Sequence, residues 1–375
     1  LNLDHLGDLA GAARIVAIGE NNHHIHEFSA LRTEILRFLV ERKGFTMLGF
    51  ESGFAEGRFT EEWLRGGPGE VEEVGRAGFT FSLGESAEMH EMLTWLRGHG
   101  GVSFAGLDVP SSAGSSLPAL TEVRAYLRKV APEAVSFVDA AIEAVTPYAA
   151  VSSGVAPARY GQLDQPQRDA ATAALTRLVQ HLESLAPVYP EPQIPLHHAR
   201  GALRLDTYLR ELADLTAGTA PKVQSSSRDT YMAQTLRLLD KGERIVLMLH
   251  NGHLQRVPIQ LMPTAVTPTV GTHLAAAYGN EYFALGVTAG TGTTTGLRPD
   301  ENARLGFTLY EQQLDEPAPG SAEHALAGRE AGFVAEPTGS SIRHAHLFSE
   351  VDVSAAFDAL AYFPEQRVSE SVLAR

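Results

Sequence analysis

The sequence predicts an α/β fold: a mostly parallel central sheet, flanking helices and a large helical insertion that forms one wall of a cleft. Three observations carry this. Short apolar runs of strand character recur at residues 15–18, 45–50 and 102–107, and each leads into an acidic residue. Segments with a 3.6-residue apolar period separate the runs, as in βαβ units. Between residues 117 and 239 strand signals vanish and long amphipathic segments replace them. The expected parts are an N-terminal α/β part over 1–115, a helical insertion over 116–242 and a C-terminal α/β part over 243–375 that completes the sheet.

The first run, Ile15-Val16-Ala17-Ile18, is small and β-branched, which suits a strand buried on both faces. It stops at Gly19, and the turn beyond carries Glu20, His23, His24, His26 and Glu27. From Phe28 the period changes: Phe28, Leu31, Ile35 and Leu39 share one helix face, closed by Arg42-Lys43 and Gly44. The second run ends at Glu51, and a short helix is expected over 61–65. Met89, Met92, Leu93 and Leu96 mark the next helix, before the third run ends at Asp108. The insertion reads as helices over 120–130, 132–145, 170–185, 196–215 and 228–239, with Pro132 in a first turn. Residues 244–249 resume the sheet and lead into His250-Asn251-Gly252-His253. A helix over 274–278, a strand over 282–288 and a closing strand over 357–362 follow. The Thr/Gly tract 288–296 shows neither period and reads as a flexible turn.

Composition narrows the function classes. The 45 acidic and 30 basic side chains give a formal charge of −15, which repels phosphate backbones and anionic lipid. Neither nucleic acid nor membrane is an expected partner, and no apolar run approaches the length of a span. The absence of cysteine excludes disulfides, thiolate metal sites and a cysteine nucleophile, and fits a cytoplasmic protein. The chain opens on Leu1 rather than Met, which leaves its natural N-terminus open.

Right-handed crossovers would bring the strand ends to one edge. There Glu20/His23, Glu51, Asp108 and His250/His253 would bring histidines from two distant parts of the chain to face two or three carboxylates, the composition needed to activate a water. Either His23 or His250 is the base, and Glu20 and Glu51 orient and polarise. Arg32, one turn or so into the helix, neutralises clustered carboxylates or holds a developing oxyanion, unless it is a solvated helix charge. His24, His26, Asp108, Asn251 and His253 are the expected substrate contacts. His197 and His198 read as surface or wall residues. His90, His99, His324, His344 and His346 lack a carboxylate placed by a strand end and are read as non-catalytic. No Gly-x-Ser-x-Gly elbow announces a serine nucleophile, and no glycine-rich phosphate loop follows a strand. Zinc is the rival: His250, His253, Glu20, His23 and Glu51 hold enough ligand types for a site with an open position. The spacing is His-x-x-His on a glycine turn rather than His-Glu-x-x-His on a helix, so no metal or other cofactor is expected.

At these residues the chain resembles the erythromycin esterase family. The resemblance runs through Gly19-Glu20-x-x-His23, Glu27-Phe28, Leu31-Arg32, Gly44-Phe45, Phe50-Glu51, Trp95-Leu96-Arg97 and Gly106-Leu107-Asp108. It continues through Arg228-Asp229-x-x-Met232-Ala233, His250-Asn251-Gly252-His253, Pro319-Gly320-Ser321-x-Glu323 and Phe357-Asp358, in the family's order. It implies a metal-independent hydrolase that opens a macrolactone ester with histidine-activated water and no acyl-enzyme. Position by position it points to Glu20, His23, Arg32, Glu51, His250 and His253. Where the family usually has glycine after the first histidine and small residues before it, this chain has His24 and Asn21-Asn22, which would narrow or re-aim the cleft. The expected substrate is a small molecule, a lactone or polyketide-like ester. A lyase or cyclase of secondary metabolism on the same residues, or a non-catalytic binder of a small ligand, are the alternatives.

Overall fold

Strand β1 (Ile15–Ile18) lies inside the sheet with all four residues buried. The structure, a computed structural model, describes residues 1–262 and 265–373. Around β1 run β2 (Met47–Gly53), β3 (Ser103–Asp108), β4 (Ile245–Met248) and β5 (Tyr282–Pro299). Further along the chain come β6 (Phe307–Gln313), β7 (Gly332–Val334), β8 (Ser341–His344), β9 (Leu347–Glu350) and β10 (Ala359–Gln366). The central sheet of the described residues has the order β3-β2-β4-β1-β5-β10-β7, with β6 paired onto the far half of β5. Every pairing from β3 to β10 is parallel; β7 and β6 add antiparallel edges. The predicted α/β class is therefore observed. Ile18 pairs with Met248 on one side and Leu285 on the other. The turns after β1 and β4 thus leave the same edge side by side, at the kind of crevice where open sheets hold ligands.

The pleat explains why β1 is apolar throughout. Val16 and Ile18 join a core with Phe28, Leu31 and Ile35 of α1 (His26–Lys43). Ile15 and Ala17 join the opposite core with Met232 and Leu236. Alternate residues face opposite layers, and both layers are covered. As the sequence predicts, α1 carries Arg42 and Lys43 in its last turn and ends on Gly44 in the left-handed region, with φ 70°.

Two elements differ from expectation. A helix, α2 (Phe54–Leu64), replaces the short one expected over 61–65. Its buried face is Ala55, Gly57, Thr60 and Trp63, too small and polar to show an apolar period. The Thr/Gly tract is not a turn: β5 runs straight through it to Pro299. β-branched threonines suit a pleated strand, and Thr293 to Pro299 pair with β6. Gly292 is the hinge of this change, with φ 105° and so close to β10 that a Cβ would stand 1.9 Å from the Gln366 carbonyl.

After α3 (Ala87–His99), residues 117–239 hold α4 (Leu117–Val130), α5 (Val135–Val145), α6 (Gln165–Leu185), α7 (Gln193–Ala217) and α8 (Ser227–Leu239). Leu120, Leu127, Val138, Leu175, Leu182 and Leu205 form a separate core there. The C-terminal end of α7 reaches over the strand ends and brings Tyr208, Glu211, Leu212 and Leu215 to the central cavity. Among the described residues no helix is long and apolar enough to cross a membrane.

Candidate active site

The turns after β1 and β4 and the C-terminal end of β2 converge on a cavity of about 390 Å³, lined among others by Asn22, His23, Glu51, Arg228, Asp229, His250, His253 and His344. Gly19 allows this convergence: a Cβ there would stand 1.9 Å from Asn251 Oδ1. The backbone continues the alignment beyond the strands, with Asn251 N–H donating to the Glu20 carbonyl at 2.8 Å.

Glu20, 4 % exposed, accepts from His23 Nδ1 at 2.8 Å and pairs with Arg32 Nη1 at 2.8 Å. Burial alone would raise its carboxyl; Arg32 and then His23 outweigh that and hold it below the usual carboxylate range. Because the carboxylate can only accept, His23 carries its hydrogen on Nδ1 and keeps a lone pair on Nε2. That nitrogen lies 4.0 Å from Glu51 Oε1. Burial opposes charging His23, but Glu20 and then Glu51 lift its pKa above the ordinary histidine value.

His250 has a different fate. Its Nδ1 accepts from the Gly252 N–H at 3.0 Å, so Nε2 bears the hydrogen and donates to the Asn21 carbonyl at 2.8 Å. Both ring nitrogens are engaged, and burial, reinforced by His344 and His23, pushes its pKa far below normal. His253 is the opposite case. Its Nδ1 donates to Asp229 Oδ1 at 2.8 Å and its Nε2 lies 3.4 Å from Glu51 Oε1. Burial disfavours its charge, but Asp229 and Glu51 prevail and raise the pKa to about 10.

Glu51 is the hub. Oε2 accepts from the His250 N–H at 2.6 Å, and Oε1 faces Arg228 Nη2 at 3.1 Å as well as His253. Burial would raise its carboxyl, yet His253, His23 and Arg228 hold it well below the usual range. Arg228 is fixed by Asp108, which receives Nε at 2.9–3.0 Å and Nη2 at 2.6 Å. Asp108 itself is fully buried and does not line the cavity.

Several expected site residues stand elsewhere. Arg32 does not line the cavity: besides Glu20, it donates to the carbonyls of Gly19, Ile18 and Leu249, so it ties strand ends together from behind. Asn251 is buried and bonds both main-chain groups of Val287. His26 pairs with Glu88 at 2.6 Å on the outer side of the turn. His24 turns away from the cavity with φ 63° and lies 3.4 Å from Ser82 Oγ, so it does not narrow the cleft; Asn22 does line it. Of the expected substrate contacts, His253 alone lines the cavity. Arg228, Asp229 and Tyr208 were not expected there, and His344, read as non-catalytic, joins the wall with its ring 4.4 Å from that of His250. Among the described residues no three His, Asp or Glu side chains meet in a metal-binding group.

A family model described as erythromycin esterase matches residues 40–366. The chain belongs to the erythromycin esterase family. Members of this family are ester hydrolases, so the protein is an enzyme of that class. It is 30 % identical to an Escherichia coli erythromycin esterase type II, over 98 % of this chain and 93 % of that protein. It is 28 % identical to an E. coli erythromycin esterase type I, over 81 % of this chain and 77 % of that protein. The fold matches the solved structure of a mutant of the erythromycin esterase EreC in its open conformation, with a TM-score of 0.86 and 24 % identity; 98 % of this chain and 95 % of that chain are covered. It also resembles a succinoglycan biosynthesis protein, with a TM-score of 0.75 and 17 % identity over 97 % of this chain and 91 % of that one.

Proposed function

We propose that the protein hydrolyses an ester or lactone of a bulky, macrolide-like natural product, using a water activated by His23 and forming no acyl-enzyme. The observation that carries this reading is the contrast between the two candidate bases. His23 presents a bare Nε2 to the cavity while Glu20 holds Nδ1–H, and His250 has no free nitrogen. Water bound between His23 Nε2 and the substrate carbonyl loses a proton to the imidazole as it attacks. Glu20 orients the ring and stabilises the imidazolium that forms. The tetrahedral intermediate collapses, the C–O bond breaks, and the imidazolium returns its proton to the leaving alkoxide.

The cavity volume lies at the small end of ligand pockets, which span about 300–1,000 Å³. A macrocycle would therefore insert its ester-bearing edge and leave the remainder against the mouth, where α7 contributes Leu212 and Leu215. The names of the relatives support a macrolide-type lactone as the first substrate to test.

Incubating the protein with a panel of macrolides and smaller lactones, followed by mass spectrometry, tests the reaction: hydrolysis adds one water to the substrate mass. His23→Ala is expected to lower kcat by about two to four decades, with a melting curve recorded beside it to show that the variant is folded. Near-normal turnover in folded His23→Ala would remove His23 as the base.

A further inference from the structure

Attack of water on an ester moves the carbonyl π pair onto oxygen, and the cavity must offer hydrogen-bond donors to that developing charge. Resting on the hydrolysis proposed above, we propose that Arg228 and Tyr208 form the oxyanion hole. Several other donors of the cavity wall are already engaged; Thr267 and His344 also line it, but both are uncharged, burial holding the His344 pKa down to about 4, whereas Arg228 carries a full positive charge. Arg32 has all three guanidinium nitrogens on Glu20 and main-chain carbonyls. The polar hydrogens of Asn22, Ser225, Ser226 and His253 go to protein acceptors: Thr294 and Thr295, Glu211, Asp229, and Asp229 with Glu51.

Arg228 is different. Nε and Nη2 are held by Asp108 and Glu51, whereas among the described residues no carboxylate holds Nη1. The guanidinium is planar, so clamping two nitrogens fixes the direction of the third. The Tyr208 phenol, carried over the strand ends by α7, lies beside this guanidinium, and both side chains line the same cavity as His23. If the phenol oxygen accepts from Nη1, its own O–H remains as a second donor.

Position agrees with the chemistry. Arg228 Nη2 and His23 Nε2 stand around one atom, Glu51 Oε1, at 3.1 and 4.0 Å. We place the substrate carbonyl between these two groups, with its carbon towards the water on His23 and its oxygen towards Arg228. As the water oxygen bonds to carbon, the carbonyl oxygen takes the electron pair and receives the Nη1 and phenol hydrogen bonds. When the intermediate collapses the pair returns to re-form C=O, the alkoxide departs, and neither Arg228 nor Tyr208 changes protonation.

The test is steady-state kinetics of the full chain on the best lactone of the panel, with Tyr208→Phe and Arg228→Lys beside His23→Ala. Loss of one such donor is expected to lower kcat by about 10²–10³-fold in Arg228→Lys and in the same direction, by less, in Tyr208→Phe. KM should change little, and the acid limb of kcat/KM against pH, set by His23, should stay in place. A phosphonate analogue of the tetrahedral intermediate should bind more weakly in step with the loss of kcat/KM. Unchanged kcat in Tyr208→Phe and Arg228→Lys overturns the assignment, as does a raised KM at full kcat or a displaced acid limb. Thermal melting monitors folding; should Arg228→Lys unfold, Tyr208→Phe decides, since it keeps the ring and removes only the hydroxyl. Inactive His23→Ala with normal Tyr208→Phe and Arg228→Lys refutes the oxyanion hole alone, whereas active His23→Ala refutes the base.

Discussion

Three of the imidazoles that line the cavity show how neighbours decide what a residue can do. His23, with a carboxylate on Nδ1, keeps a basic nitrogen; His250, between an N–H and a carbonyl, is locked neutral; His253, between Asp229 and Glu51, is held as a cation. The pH dependence of the rate should expose the first of these. A base works only when neutral, and the His23 pKa is lifted above the ordinary value of about 6.5. kcat/KM should therefore rise with pH along a limb centred above that value and level off on the alkaline side. Glu20 is the strongest of the groups that lift it. In Glu20→Gln the limb should move to lower pH, while the maximal rate falls because the ring is less well oriented. A pH profile of kcat/KM for both proteins checks this, and a limb that stays put would mean that a different group sets it.

At the scale of elements, the strand ends are positioned by main-chain groups that one side chain holds together. Asn251 accepts from the Val287 N–H at 3.0 Å and donates to its carbonyl at 2.8 Å, joining the turn after β4 to β5. Asn251→Ala leaves two buried main-chain groups without partners, at about 1–3 kcal/mol each. Urea unfolding should show a loss of about 2–6 kcal/mol; a change within about 0.5 kcal/mol, typical of neutral surface sites, would mean that water replaces the carboxamide. This arrangement also explains what the sequence makes legible. Each apolar run that leads into His or a carboxylate announces itself locally, because a charge or imidazole at the end of a buried run, as at Glu51 or His250, is costly unless it is paired or used. Whether such a residue points into the cavity or away is decided by backbone angles, and so His24 and Asp108 carry the same local signal as His23. Arg228 and Asp229 open α8 and Tyr208 sits inside α7, where helical periodicity reads the same for a wall residue as for a surface one. Their place becomes visible only when the helices fold back over the sheet edge. The threonine tract misleads for a related reason: its strand character depends on pairing with β6 and β10.

For the whole molecule, the site is a charged cluster enclosed in an acidic protein, and its ionisation is tied to folding. His253 titrates near 10 in the folded chain and near 6.5 when unfolded. Its interactions with Asp229 and Glu51 thus stabilise the fold fully below about 6.5, and that contribution fades as pH rises through about 10. Asp229 sets the other boundary. Its carboxyl is held below its ordinary value, because His253 and Ser226 outweigh burial, so its contribution is lost as pH falls through the depressed value. The general repulsion of a chain with a formal charge of −15 also grows with pH and would mask the local effect. Comparison with His253→Asn separates the two, since repulsion acts on both proteins and asparagine cannot charge. Thermal melts from pH 5.5 to 10.5, a range chosen to bracket both histidine values, should show wild type more stable than the variant at the acid end. The gap should close steadily towards the alkaline end. A constant gap across the range would mean that His253 holds its neighbours by hydrogen bonds and shape alone, without the charge that the two carboxylates confer.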